Sequence, residues 1–174
     1  AGFYHAYAQD GPDYPTVVAT IGDSTFFHSG IPALVNAVAE RARFILVILD
    51  NGTTAMTGHQ PTPALGQRLA GGTGQAVRIR DVVRGAGVGF LREVDPYDVA
   101  AFTASLTEAD RFCRSEEGGV AVVVASHPCV LQVGASPAGS EGIRPFEITD
   151  DCTGCEACLR DVECPAIRWD ETAG

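Results

Sequence analysis

Short apolar segments alternate along the chain with segments of helical spacing, which predicts strands and helices in turn. Apolar segments at residues 16–21, 44–49, 90–94 and 120–125 predict buried strands. Residues 44–49 are apolar at every position, as expected of a central parallel strand that is covered on both faces.

Apolar residues at helical spacing predict helices at residues 30–41, 79–85 and 97–117. Pro32 is compatible with the first of these because proline is tolerated in the first turn of a helix. Strands that alternate with helices are typical of βαβ units. The pattern therefore predicts an α/β fold with a doubly wound parallel sheet.

The composition divides the chain into three parts. Residues 51–74 are rich in glycine, proline and threonine and are expected to form a loop within the first part. From residue 132 onward glycine, serine, alanine and proline dominate, and a cysteine-rich segment follows. We predict a sheet-forming domain at residues 1–131, a linker at 132–145 and a small C-terminal segment at 146–174.

Composition and charge narrow the classes of function. Of the 174 residues, 45% are hydrophobic and 20% are charged, which is typical of a globular protein. The net charge of −10 argues against binding nucleic acid or an anionic membrane through a basic face. The sequence shows no signal peptide and no apolar run of membrane-spanning length, so a cytoplasmic protein is expected. The first residue, Ala1, is not an initiator methionine, which suggests a processed chain or part of a larger protein.

Two of the predicted strands end in an acid or an amide beside glycine. Asp23 follows Gly22, and Asn51 precedes Gly52. Ligands of open parallel sheets bind beyond the carboxyl ends of the strands, and Mg²⁺ takes oxygen ligands that substrate phosphates complete. Two side-chain oxygens and a loop carbonyl, such as that of Thr53, would supply half a coordination shell. Each sequence alone is a common turn, but the two together favour a metal–phosphate site.

Four cysteines near the C-terminus form the pattern C-x2-C-x2-C-x5-C-P, at Cys152, Cys155, Cys158 and Cys164. Tight spacing of the first three is typical of a 4Fe–4S cluster, whereas zinc sites usually pair C-x2-C units across a longer gap. The pattern favours a small ferredoxin-like iron–sulfur tail, with a zinc site as the alternative. Bacterial ferredoxins have three residues before the last cysteine, so Cys164 either closes a single cluster or belongs to an incomplete pair.

These motifs together resemble a known family. Gly22-Asp23-Ser24 followed after 25 residues by Asp50-Asn51 is similar to the thiamine diphosphate motif GDG…NN, with Ser24 and Asp50 as departures from it. The longer string GDSTFFHSGIPALVNAV…VILDNGTTAMTGHQPTP resembles the large subunit of the indolepyruvate:ferredoxin oxidoreductase family. The resemblance covers most of the chain, including the cysteine pattern.

The resemblance implies roles for individual residues. Asp23 and Asn51 would bind Mg²⁺ through their side chains, and Thr53 would bind it through its carbonyl. Other residues would lie near the diphosphate or in the loop beside the cofactor; these are Gly22, Ser24, Thr57, Gly58, His59 and Gln60. His28 and His59 are candidates for acid–base catalysis because histidine titrates near neutral pH. The alternative is that both are polar loop residues.

The activity implied by the resemblance is oxidative decarboxylation of an aryl 2-oxoacid, indolepyruvate, to an acyl-coenzyme A, with electrons passing to ferredoxin. Expected cofactors are thiamine diphosphate, Mg²⁺ and a 4Fe–4S cluster. Thiamine enzymes also need a pyrimidine-binding domain, so remaining domains or a second subunit are expected partners and the chain alone is expected to be inactive. Two alternatives stay open: a non-oxidative thiamine-dependent decarboxylase subunit and a zinc-stapled binding module.

Overall fold

A computed structural model describes residues 1–11, 13–68, 70–129, 148–163 and 167–169. The chain divides into two compact units, residues 1–139 and 140–174, which we describe separately. Within the described ranges no helix is both long enough and apolar enough to cross a membrane.

The first unit is built on a four-stranded parallel sheet. Its described strands, in chain order, are β1 (Val18–Gly22), β2 (Ile45–Asp50), β3 (Thr53–Thr54), β4 (Gln60–Pro61), β5 (Phe90–Val94) and β6 (Ala121–Ser126). The main sheet has the order β1-β2-β6-β5, and β3 pairs with β4 as a separate antiparallel hairpin. All four strands of the main sheet fall on predicted segments. The hairpin forms within residues 51–74, which were expected to be a loop, because a two-residue ladder leaves no alternating pattern in the sequence.

The described α-helices are α1 (Gly2–Gln9), α2 (Asp23–Thr25), α3 (Ile31–Ala39), α4 (Ile79–Gly85), α5 (Val99–Arg114) and α6 (Ala157–Arg160). A π-helical turn, Phe26–Gly30, joins α2 to α3. Helical structure therefore begins at Asp23, seven residues earlier than the predicted start at residue 30. The apolar spacing that predicts this helix is confined to its later turns, so it does not mark the true start. Helix α1 was not predicted.

The two faces of the sheet carry separate cores. Even-numbered residues of β2 and β6, such as Ile48 and Val122, cluster with residues of α3 and α4. Odd-numbered residues, such as Val47 and Val123, cluster with Ala109 and other residues of α5. Helices therefore cover both faces of the central strands, which confirms the predicted doubly wound α/β fold.

Strand β1 lies at one end of the described sheet and is covered on one face. Ala19 and Ile21 pack against the core shared with α3 and α4, whereas Val18 is 54% exposed on the opposite face. Gly30 fits closely over β1, because a Cβ there would lie 2.9 Å from Cδ1 of Ile21. This close packing fixes the helical segment that carries Asp23 against the end of β1.

Candidate functional site

The carboxyl ends of β1 and β2 are neighbours, which brings two of the sequence-predicted segments together. The two strands pair in parallel up to Gly22 opposite Leu49. Asp23 begins α2 directly after β1, and Asn51 follows directly after β2. Thr54 Oγ1 donates a hydrogen bond of 2.9 Å to Ser24 Oγ, so the segment after β1 and the segment after β2 are joined by their side chains.

Asp23 is a buried carboxylate with one unsatisfied oxygen. Its Oδ1 accepts a hydrogen bond of 2.7 Å from the Ser24 amide, whereas Oδ2 is buried and has no hydrogen-bond partner among the described residues. Burial raises the pKa of Asp23, and the nearby Asp50 carboxylate raises it further, against the lowering effect of the Ser24 amide. An unpartnered buried carboxylate is costly, and a bound cation would offset that cost. Asp23 is therefore well suited to be a metal ligand.

Asn51 and Thr53 form a tight turn beside Asp23. Asn51 Oδ1 accepts a hydrogen bond of 3.0 Å from the Thr53 amide, and Gly52 between them has φ +73°, a conformation that favours glycine. Thr53 is buried, and its hydroxyl donates to the carbonyl of Gln60 at 3.3 Å. A carbonyl-type oxygen has two lone pairs, so Asn51 Oδ1 can still take part in metal binding.

Asp50 connects this turn to the end of β6, a role that the sequence analysis missed. Its Oδ1 accepts a hydrogen bond of 3.2 Å from the Gly52 amide, and its Oδ2 accepts one of 3.1 Å from Ser126 Oγ. The backbone carbonyls of Asp50 and Asn51 accept further bonds from the amides of His127 and Cys129. The only signal for this role was the acid at a position where the motif has an asparagine.

The remaining residues of the predicted cofactor loop lie near the tip of the β3–β4 hairpin. Thr57 Oγ1 donates to Gln60 Oε1 at 2.7 Å, and Gln60 Nε2 donates to the Thr57 carbonyl at 2.7 Å. Gly58 and His59 both have positive φ, at +115° and +61°. Residues 56–60 are exposed, so this segment is open to a ligand or a partner.

The two candidate acid–base histidines lie on different elements. His28 belongs to the π-helical turn, and His59 belongs to the hairpin. Both are exposed, and among the described residues neither ring has a hydrogen-bonded partner that would orient it. Their catalytic roles stay predictions.

All four predicted cluster ligands belong to the second unit, and three of them lie in its described part. Cys152, Cys155 and Cys158 are exposed. The Ala157 amide at the start of α6, and secondarily the Thr153 side chain, lower the pKa of the Cys155 thiol. Within residues 148–163 and 167–169 these cysteines do not gather into a group that could hold a metal ion. Cys164 lies outside the described residues.

Cavities occur at both ends of the sheet. One of about 460 Å³ lies at the amino ends of the strands, where Arg43 and Val120 contribute to its wall. Another of about 290 Å³ lies at the carboxyl ends, beside Asn51 and Gly52. Ligands of parallel α/β sheets bind at the carboxyl ends, so the second cavity is the one that belongs to the candidate site.

A parallel α/β sheet whose adjoining strand ends present Asp23 and Asn51 is the arrangement of a cofactor-binding domain. The family model of the C-terminal TPP binding domain of thiamine pyrophosphate enzymes matches residues 5–125. The chain belongs to this family. A solved structure from Mycobacterium smegmatis, described as a thiamin diphosphate-dependent enzyme, has the same fold: the TM-score is 0.52 at 23% sequence identity, over 74% of this chain and 20% of that chain.

Curated relatives resemble the chain more closely. It is 47% identical over 154 residues to the indolepyruvate oxidoreductase subunit IorA of Archaeoglobus fulgidus, which covers 88% of this chain and 24% of that protein. It is 41% identical over 164 residues to the subunit of the same name from Thermococcus kodakarensis, over 93% of this chain and 24% of that protein. The resemblance stated from the motifs is thereby confirmed. The chain spans about a quarter of the length of these relatives.

Proposed function

We propose that the chain is the diphosphate- and Mg²⁺-binding part of a 2-oxoacid:ferredoxin oxidoreductase. This enzyme would oxidatively decarboxylate indolepyruvate to an acyl-coenzyme A and pass electrons to ferredoxin. The observation that carries the proposal is the buried Oδ2 of Asp23 beside Asn51, which has no partner among the described residues, in a chain whose relatives are named indolepyruvate oxidoreductase subunits.

The chain's own residues would bind and orient the cofactor. Asp23 Oδ2, Asn51 Oδ1 and the Thr53 carbonyl would hold Mg²⁺, which prefers oxygen ligands. Gly22 and Ser24 would adjoin the diphosphate, and the hydrogen bond from Thr54 to Ser24 would hold the two segments at a fixed separation. When bound, thiamine diphosphate supplies the carbanion chemistry that releases carbon dioxide from a 2-oxoacid.

The hairpin residues and the histidines complete the proposed site. Thr57 and Gly58 would lie beside the cofactor, and His28 and His59 would transfer protons. Their exposure is compatible with these roles because the proposed site would be completed by other parts of the enzyme.

The C-terminal segment would carry the electrons away. Cys152, Cys155, Cys158 and Cys164 would ligate a 4Fe–4S cluster, for which their spacing is the support. The division into residues 1–131, 132–145 and 146–174 belongs to the same proposal, as do a cytoplasmic location and the partners: the remaining domains or a second subunit, coenzyme A and ferredoxin.

Cofactor binding tests the first half of the proposal. In the full protein that contains this chain, thiamine diphosphate is titrated calorimetrically with and without Mg²⁺. We expect Mg²⁺-dependent binding that Asp23→Ala weakens about tenfold or more, because a hydrogen bond or contact to a charged group contributes about 1.5–3 kcal/mol. Asp81→Asn, on the exposed surface of α4, is the matched control and should bind normally. Binding that changes neither with Mg²⁺ nor with Asp23→Ala would contradict the proposal.

Metal analysis tests the second half. Protein purified without oxygen should contain about four irons and four sulfides for the cluster of each copy of this chain. Zinc without iron would exclude the redox role of the tail and leave the cofactor-binding site as a separate question.

A further inference from the structure

The cavity of about 290 Å³ beside the candidate metal site is lined by both polar and apolar residues. It lies beyond the ends of β2 and β6; its polar lining residues are Asp50, Asn51, Ser126 and His127, and its apolar ones include Leu65 and Pro128. Leu65 lies close to the turn, because a Cβ added to Gly52 would be 3.7 Å from Leu65 Cδ2. The volume of the cavity is near the lower end of the range for ligand pockets, which is about 300–1,000 Å³.

His127 is held in this wall from three directions. It follows β6 directly, and its amide donates a hydrogen bond of 3.0 Å to the Asp50 carbonyl. Its ring Nδ1 lies 3.1 Å from Oδ2 of Asp95, and its ring packs against Tyr97 with a centroid distance of 4.2 Å. Asp95 follows β5, which pairs with β6 in the sheet, and the Tyr97 amide binds the Asp95 carboxylate at 2.9 Å.

The hydrogen bond to Asp95 determines what the other ring nitrogen can do. A carboxylate only accepts hydrogen bonds, so Nδ1 of His127 carries the proton in this pair. In the neutral ring Nε2 is then a hydrogen-bond acceptor. The His127 side chain is 33% exposed, so the ring is accessible from the cavity that it lines.

The side-chain oxygens of Asp50 and Asn51 in the cavity wall each accept a hydrogen bond already. Both carboxylate oxygens of Asp50 accept hydrogen bonds, from the Gly52 amide and from Ser126 Oγ. Asn51 Oδ1 accepts from Thr53. His127 Nε2, in contrast, accepts no hydrogen bond from the described residues, and His127 lines the same cavity as Leu65 and Pro128. A flat aromatic group with one ring N–H matches that arrangement.

We infer that this cavity receives the aryl group of the 2-oxoacid, with His127 Nε2 accepting a hydrogen bond from the indole N–H and Leu65 and Pro128 packing against the ring. The inference rests on the proposed function and adds to it a specificity-determining residue. Asp95 is a positioning residue, because it holds the imidazole tautomer that accepts at Nε2.

Substrate preference tests this inference. In the full enzyme, kcat/KM is measured for indolepyruvate and for phenylpyruvate, which has an aromatic ring but no N–H. We expect His127→Leu to reduce the preference for indolepyruvate about five- to tenfold, the effect of losing one neutral hydrogen bond. The value for phenylpyruvate should change little. His127→Gln, whose amide oxygen can accept, should recover part of the preference, and Asp95→Ala should lose part of it.

A binding measurement separates recognition from turnover. Indole-3-lactate and 3-phenyllactate cannot be decarboxylated as 2-oxoacids, so their dissociation constants can be measured by calorimetry in the cofactor-loaded protein. His127→Leu should weaken indole-3-lactate selectively, and the control Asp81→Asn should weaken neither ligand.

Two outcomes would overturn the inference in distinguishable ways. If the wild-type enzyme turns over indolepyruvate but His127→Leu affects both substrates equally, His127 is only structural and the proposed function stands. If the wild-type enzyme turns over neither 2-oxoacid, the proposed function fails and the inference fails with it.

Discussion

Asp23 illustrates how a single residue can be stabilising only in the presence of a ligand. The residue is 3% exposed, and one of its carboxylate oxygens has no partner among the described residues. Burial raises its pKa above the ordinary value of 3.8. The folded protein therefore binds this proton more tightly than the unfolded chain does, and ionising Asp23 without a cation opposes folding.

Asp23→Asn should consequently stabilise the metal-free protein near neutral pH. The destabilisation by ionised Asp23 is absent below the ordinary pKa of 3.8 and increases as the pH rises through the higher pKa of the folded state. The variant should therefore melt at a higher temperature than wild type at pH 7 in a chelator, and the difference should shrink toward pH 4. Added Mg²⁺ should raise the melting temperature of wild type but not that of Asp23→Asn.

Thermal melts between pH 4 and pH 7.5 check this expectation, with Asp81→Asn as the control for removal of an exposed carboxylate. A stability difference between wild type and Asp23→Asn that does not vary with pH would show that ionisation of Asp23 is not its cause.

For single residues, the sequence predicts which side chains lie close together. It predicts less well the hydrogen bonds that fix their positions. Asp23 and Asn51 could be placed together because parallel strands end at one edge of a sheet. The links from Asp50 to Ser126 and from Asp95 to His127 could not be placed, because they depend on β6 lying between β2 and β5. That order is a property of the chain's long-range pairing, which no local pattern encodes.

Helix α5 shows how a single element is terminated by its surroundings. It ends at Arg114, and the guanidinium of Arg43 donates to the carbonyls of Ser115 and Glu116 at 2.7 and 3.2 Å. These bonds satisfy carbonyls beyond the end of the helix, where hydrogen-bond partners within the helix run out. After the helix, the chain turns back close to the backbone carbonyls of its last turn and enters β6.

Gly118 should be essential to this return, whereas its neighbour Gly119 should not. A Cβ on Gly118 would lie 2.5 Å from the Cys113 carbonyl oxygen and 2.6 Å from that of Phe112, but nothing lies within 4 Å of a Cβ on Gly119. Gly118→Ala should lower the free energy of unfolding by about 1–3 kcal/mol, the usual cost of overpacking. Gly119→Ala, the matched control, should be nearly neutral.

Denaturant unfolding of the two variants gives the midpoints that decide the matter. Equal midpoints would mean that the end of α5 can shift to make room for a methyl group.

At the largest scale, the parallel sheet of the first unit positions both of its cores and the candidate site. Strands β2 and β6 are paired on both sides, whereas β1 and β5 lie at the ends of the described sheet. The apolar runs 44–49 and 120–125 predicted the two central strands because residues buried on both faces leave continuous apolar sequence. Helix α1 escaped prediction because none of its residues is fully buried and its contact with the core includes only a partly buried Tyr4, so its sequence has no apolar stripe to detect.

Backbone amides should exchange hydrogen most slowly in the central strands of the sheet and faster in the end strands. Amides of Ile45–Asp50 and Ala121–Ser126 should exchange last, because only opening of the whole sheet exposes them. Amides of Val18–Gly22 should exchange faster, since β1 has one neighbour in the described sheet and Val18 on its outer face is exposed. Mass-spectrometric exchange on the 174-residue chain tests this ranking. Equal protection of β1 and β2 would contradict it.

The two separate cores also constrain the length of β2. Since alternate residues face opposite helices, inserting one residue would exchange the two sets of side chains and turn Asp50 away from Ser126. Inserting two residues would restore the facing but carry Asn51 about 7 Å beyond Asp23, at about 3.3 Å per residue. Neither an odd nor an even change in length leaves both the cores and the site intact. Insertions and deletions within β2 should therefore disrupt either the packing of the sheet or the candidate site.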